Sequence, residues 1–240
     1  MNVEVREVSR SFGALRVLEA ISLRIEPGTV TAVLGTNGAG KTTLLRLLGG
    51  ALRPTKGEVC YDGEVLTRAR LDLRRRVMYV ADMPLVLRES PLISWIGTCL
   101  RVYHVDRPGL EAAVSRVLDD LGLGSLAGMP LATLSRGQLY KAALASLIAV
   151  DPDLWLLDEP FASGMDPAAL AVLGEAVRLA AARGRTVVLG TQMLALVGRL
   201  ADQAVVLRNG GVVIHGGVQE LTADGEGLEE KLKTLWRERG

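Results

Sequence analysis

Gly35-Thr36-Asn37-Gly38-Ala39-Gly40-Lys41-Thr42 fits G-x-x-x-x-G-K-[ST], the loop that cradles nucleotide phosphates. The run before it, Val30-Thr-Ala-Val-Leu34, is apolar and β-branched and reads as a buried strand. The run after it, Thr43 to Leu48, reads as a helix. Strand, loop and helix in that order aim backbone N–H groups and a helix N-terminus at one anion. Gly35, Gly38 and Gly40 let the backbone approach the phosphates without an intervening Cβ. In this pattern Lys41 reaches the β- and γ-phosphates and the Thr42 hydroxyl ligates Mg²⁺, with Thr36, Asn37, Ala39 and Thr43 completing the cradle. The loop implies a nucleoside triphosphate as ligand.

A second motif lies far downstream. Leu154-Trp-Leu-Leu-Asp158-Glu159-Pro160 is an apolar strand that ends in two carboxylates. Asp158 is placed to hold Mg²⁺ directly or through water. Glu159 points the other way by strand alternation, which suits a general base acting on water. Upstream of it, Leu134-Ser135-Arg136-Gly137-Gln138 immediately precedes a helical pattern. Ser135 is a good N-cap, and Gly137 is expected to leave backbone N–H groups open to an anion.

Between and around these motifs the pattern changes twice. Val3 to Val8 and Val17 to Ile25 alternate as antiparallel strands, and Gly57 to Tyr61 ends at the hairpin signal Asp62-Gly63. Val77 to Ala81 is another buried strand. From about residue 85 to 150 strand signals disappear, and 92–103, 110–121 and 139–150 carry helical spacing. Strands return at Leu154 and Thr186, and a closing hairpin over 204–214 turns at Asn209-Gly210. The tail at 227–239 reads as a charged amphipathic helix. This is an α/β nucleotide core, residues 1–84 and 151–240, interrupted by a helical insertion at 85–150, in one domain spanning 1–240.

Composition narrows the partners. With 28 basic and 27 acidic residues the net charge is +1, so no nucleic-acid footprint is evident. Arg74-Arg75-Arg76, beside Asp72, is expected to be a solvated face. Although 49% of residues are apolar, no window approaches the roughly 18 uninterrupted apolar residues of a membrane span. Charges in Met1 to Arg6 stand where a signal peptide needs an apolar core. Cys60 and Cys99 lack disulfide or metal spacing and are expected in the core of a protein in a reducing cytosol.

Order and spacing of these motifs resemble those of the ATP-binding cassette (ABC) ATPases, over essentially the whole chain. The resemblance implies a P-loop NTPase core with a mostly parallel sheet, an N-terminal antiparallel β subdomain and an inserted α-helical subdomain. Leu134 to Gln138 is similar to the family signature LSGGQ, with Arg136 as the unusual residue. The family role of that segment implies that Ser135, Gly137 and Gln138 contact ATP held by the opposite subunit of a head-to-tail dimer. Ser163-Gly-Met-Asp166 matches the loop that crosses that interface, and Phe12 matches the aromatic that stacks on adenine. The cofactors implied are ATP and Mg²⁺. The partners implied are a transmembrane permease and a second ABC ATPase subunit, like or unlike, with no nucleic acid. The place implied is cytoplasmic, peripheral on the inner face of the cell membrane.

Two positions depart from the family pattern. A Gln is expected after the strand at 77–81, toward Mg²⁺ and the attacking water, and Asp82 stands there. A His is expected after the strand at 186–189, toward the γ-phosphate, and Gln192 stands there. Asp82 can ligate the metal but offers no amide N–H, while Gln192 donates a neutral hydrogen bond without imidazole's charge. The expected consequence is sound ATP binding with impaired or conditional hydrolysis by Glu159, Gln192 and Asp82. The apolar segment Pro84 to Trp95 is the expected landing site of a membrane partner, and the compact length suggests an export-type system. The alternative is a weakly hydrolytic, regulatory half of a heterodimer.

Overall fold

The computed structural model describes residues 1–221 except Leu85 and the side chains of Ala195 and Leu196. The tail helix expected at 227–239 lies outside the described residues.

Two sheets carry the chain. The antiparallel sheet holds β1 (Val3–Phe12), β2 (Leu15–Ile25), β4 (Lys56–Tyr61) and β5 (Glu64–Val65) in the order β2-β1-β4-β5. The larger sheet joins β3 (Val30–Leu34), β6 (Val77–Val80), β7 (Leu154–Asp158), β8 (Thr186–Thr191), β9 (Gln203–Arg208) and β10 (Gly211–Gly217). Its order is β10-β9-β3-β8-β7-β6, parallel throughout except for the β9–β10 hairpin. The α/β class expected from the sequence is therefore the observed one.

The helices are α1 (Lys41–Leu48), α2 (Leu71–Arg74), α3 (Leu92–Val102), α4 (Leu110–Asp120), α5 (Arg136–Val150), α6 (Pro167–Ala182), α7 (Leu194–Leu200) and α8 (Val218–Leu221). Strands buried on both faces divide their side chains by alternation. Leu154, Leu156 and Val188 pack with α1 and the antiparallel sheet, including Leu44, Leu45, Val5 and Ile21. Trp155, Leu157, Val187 and Leu189 pack on the opposite face with residues of α3 to α6. Each such side chain contributes about 1.5–3 kcal/mol by leaving water. Helix α5 is buried on nearly every side, which explains its lack of an amphipathic stripe.

Some elements differ from the sequence reading. Helix α5 starts at Arg136, three residues earlier than its apolar spacing begins, because Ser135 caps it. Helix α6 is absent from the periodicity reading. Alanine-rich composition blurs its faces, yet Asp166 accepts a cap hydrogen bond from the Ala169 N–H at 2.9 Å and Pro167 opens its first turn. The Arg74 to Arg76 stretch is not simply a solvated face. Arg76 bridges Asp62 and Asp153, each at 2.7 Å, and so ties the end of β4 to the start of β7. Cys60 and Cys99 are both buried and free, as expected.

Register decides where chemistry happens. Leu34 pairs with Thr191, Asp158 with Gly190, and Val80 with Leu157. The carboxyl ends of β3, β8, β7 and β6 thus lie side by side. The next residues out are Gly35, Gln192, Glu159 and Ala81-Asp82. Ligands in open parallel sheets sit outside this edge.

Candidate nucleotide site

The phosphate loop leaves β3 and enters α1 within seven residues, from Gly35 to Lys41. Thr36, Asn37 and Gly38 are exposed, while Gly35, Ala39 and Gly40 are buried. Gly38 has open space where a Cβ would stand, as an anion cradle requires. Gly40 has a different reason for being glycine. Its φ is +105°, and a Cβ would meet Leu18 Cδ2 at 2.6 Å, so packing on β2 forbids a side chain. No acidic residue occupies the first turn of α1, which leaves its N-terminus favourable to an anion.

Lys41 is 6% exposed. Its ammonium donates to the Gly35 carbonyl at 2.9 Å and lies 3.3 Å from Glu159 Oε1. Glu159 Oε2 accepts from the Gln192 N–H at 3.4 Å, and the Glu159 N–H donates to the Gly190 carbonyl at 2.7 Å. The chain exits of β3, β7 and β8 are thereby joined by one carboxylate and one ammonium. Glu159 adopts φ +46°, a left-handed conformation, directly before Pro160. Residues held there cluster at functional sites.

Asp158 is 1% exposed. Oδ2 accepts from the Tyr79 hydroxyl at 2.9 Å, whereas Oδ1 is buried with no hydrogen-bond partner. A carboxylate oxygen buried without a partner is costly, so this atom is the site's strongest pointer to a cation as ligand. Among the described residues no cluster of three or more His, Cys, Asp or Glu forms a ready metal cage. Mg²⁺ suits such a site, since it is bound by one or two carboxylates or hydroxyls together with substrate phosphates. Asp158 and Thr42 fit that donor set.

Burial and the nearby Asp158 charge push the Tyr79 hydroxyl above its ordinary pKa. Tyr140, fully buried on α5, is shifted the same way, first by burial and then by Asp158. Its hydroxyl donates to the Asp158 carbonyl at 3.4 Å. Neither tyrosine is visible as a site residue from the strand or helix pattern, which treats both as core.

The signature segment begins α5. Ser135 Oγ accepts from the Gln138 N–H at 3.2 Å and Gln138 Oε1 accepts from the Ser135 N–H at 2.9 Å, a reciprocal capping box. Gly137 is buried, and a Cβ there would stand 2.4 Å from the Gly164 carbonyl oxygen. The glycine at 137 is therefore needed for close packing on the 163–166 loop. Lys141 on α5 ion-pairs with Asp166 in the same loop. Together with the cap hydrogen bond, that contact holds the Asp166 carboxyl below its usual pKa.

Asp82 is not turned into the carboxylate–ammonium cluster. Its Oδ1 accepts from Arg136 Nη2 at 2.6 Å, so two of the three unusual residues of the sequence are partners across 54 positions. Gln192 is exposed at the mouth of the same edge. Phe12, at the end of β1, is 44% exposed with the Arg10 guanidinium 4.5 Å from its ring centroid.

The family model described as ABC transporter matches residues 18–162, which contain the phosphate loop, the capped α5 segment and the double carboxylate. The chain belongs to the ABC transporter family. It is an ATP-binding member, and ABC ATP-binding domains are ATPases. The chain is 35% identical over 228 residues to the intermembrane phospholipid transport system ATP-binding protein MlaF of Escherichia coli K12, covering 92% of this chain and 84% of that one. It is 36% identical over 231 residues to the nickel import ATP-binding protein NikO of Rhodobacter capsulatus, covering 92% and 91%. A solved structure of the ATP-binding subunit of an ABC transporter superposes with a TM-score of 0.92 at 27% identity, covering 99% and 100%. Among the described residues no helix is long and apolar enough to cross a membrane.

Proposed function

We propose that this ABC chain is a MgATP-binding motor subunit whose hydrolysis is slow or conditional, acting with a separate membrane permease. The observation that carries the reading is Asp82 held by Arg136 at 2.6 Å. A carboxylate so engaged, with no amide N–H to give, is a poor substitute for the family's Gln at orienting water.

The roles follow from placement. Lys41 exchanges its contacts with the Gly35 carbonyl and Glu159 for β- and γ-phosphate oxygens, which frees Glu159 to take a proton from water. Thr42 and Asp158 hold Mg²⁺, which neutralises phosphate charge when bound. Gln192 donates a neutral hydrogen bond to the γ-phosphate. Phe12 offers one ring face to adenine while Arg10 occupies the other. Ser135, Gly137 and Gln138 address nucleotide on a second ABC subunit.

Loss of one orienting or acid–base group lowers rate about 10²–10⁴-fold. The test is steady-state MgATP turnover by the purified chain with Glu159→Gln as the blank, alongside Asp82→Gln/Gln192→His. Turnover rising at least tenfold in the double variant is the expected result. No gain refutes the impairment.

A membrane partner is supported by exposed apolar side chains after β6: Met83 67%, Leu87 58% and Ile93 45% exposed. Beside them a groove of about 630 Å³ between α3 and α4 is lined by Ile93, Ile96, Leu100 and Val114. Contiguous apolar surface of this kind marks interaction sites. Such attachment would place the chain on the cytoplasmic face of a membrane. Relatives named for nickel import and for intermembrane phospholipid transport match almost equally, at 36% and 35%, so compact length carries no information on direction. The Asp82–Arg136 pair also favours a second reading, a regulatory half of a heterodimer. ATP binding without turnover until an unlike ABC subunit is added would establish that form.

A further inference from the structure

The two oxygens of Asp158 have unlike surroundings. Oδ2 is engaged by the Tyr79 hydroxyl at 2.9 Å, and Oδ1 has no partner. Oδ1 lies against Gly190, where a Cβ would stand 3.3 Å from it, so the absence of a side chain on β8 keeps that oxygen unobstructed. Tyr79 belongs to β6 and Asp158 to β7. The hydrogen bond thus joins the edge strand to the buried carboxylate.

We propose that Tyr79 is a positioning residue for the divalent cation, fixing Asp158 so that Oδ1 is the oxygen presented to it. The proposal rests on the reading of Asp158 as a metal carboxylate. A phenol suits the task because it restrains rotation of the carboxylate with a neutral donor. The full negative charge then stays available to the cation, which an Arg or Lys at the same place would cancel. Partners that orient a metal ligand in this way typically change metal affinity 10–100-fold when removed. Phe at 79 keeps the ring packed against Val77, Leu156 and their neighbours and removes only the donor.

The test titrates Mn²⁺ into the full chain bound to a non-hydrolysable ATP analogue and follows bound Mn²⁺ by EPR. Affinity for the same analogue in EDTA is measured in parallel. Tyr79→Phe should raise the Mn²⁺ midpoint about tenfold and leave metal-free nucleotide affinity unchanged. Asp158→Asn should raise the midpoint as well. A Tyr79→Phe midpoint equal to wild type, with Asp158→Asn raised, overturns the proposal and leaves the metal reading standing. An unshifted Asp158→Asn removes the metal reading and the proposal with it. Equal losses of metal and metal-free nucleotide affinity in Tyr79→Phe would show a merely structural role and also overturn it. Should Tyr79→Phe fail to fold, Tyr79→Met, which also lacks the donor, takes its place, and an unchanged Mn²⁺ midpoint there refutes the proposal.

Discussion

Breaking the Asp82–Arg136 pair measures how firmly α5 is tied to the exit of β6. The side chains are 41% and 52% exposed with N and O 2.6 Å apart. Two unit charges about 4 Å apart interact by about 1 kcal/mol in water and about 4 kcal/mol near a protein surface. Exposure of this degree places the pair at the watery end, and double-mutant cycles on such pairs give roughly 0.2–1 kcal/mol. The assay is a double-mutant cycle with Asp82→Ala, Arg136→Ala and the double variant, by urea unfolding at 0.05 M and 1 M NaCl. Coupling should fall in that range at low salt and drop by more than half at 1 M, where the screening length is about 3 Å. A coupling above about 2 kcal/mol that resists salt would mean a desolvated strap, and the reasoning from exposure would be wrong. Coupling indistinguishable from zero at low salt would refute the contact.

Other outcomes follow from the same geometry. Ser135→Ala removes half of the capping box and should cost about 1 kcal/mol, seen as a fall in Tm of about 2–4 °C; an unchanged Tm would deny the cap. Gly137→Ala drives a Cβ to 2.4 Å from the Gly164 carbonyl and should cost about 1–3 kcal/mol, with protection lost in the 163–166 loop by hydrogen exchange. Equal stability of that variant would mean the loop moves freely. Because Lys141 and the Ala169 N–H lower the Asp166 pKa below 3.8, the stabilisation is complete above that value and disappears as pH falls through the lowered folded pKa. The stability difference between wild type and Asp166→Asn should thus be constant near neutrality and shrink below about pH 4; a difference independent of pH would contradict the pairing.

The phosphate loop was legible because an anion dictates its residue types one by one, and β3, β7 and β8 because strands buried on both faces need continuous apolar runs. Ser135 was legible as a cap since the rule is local. Contacts closed by the fold were not. Asp82 and Arg136 each stand out as an oddity in the sequence, yet only the fold shows that they neutralise one another across 54 residues. Tyr79 sits in a strand of otherwise ordinary core residues, and no alternation rule separates a tyrosine that packs from one that holds a carboxylate. The same is true of Lys141, which looks like a solvated residue on a helix. It proves 9% exposed on α5, where burial obliges it to find Asp166. Gly137 stands out in the sequence, but its contact with Gly164 depends on a loop 27 positions away.

The backbone of Glu159 has a consequence for anyone redesigning this protein. Its φ of +46° disfavours most side chains other than those of asparagine and aspartate, and the following Pro160 favours an extended neighbour. A search scored on folding free energy alone would write glycine or asparagine at 159 and collect a stabilised, well-expressed variant. That variant would lack the carboxylate that stands 3.3 Å from the Lys41 ammonium and that the proposed function uses as the base. Position 159 has to be frozen by hand in any such campaign, because thermostability screens select against it.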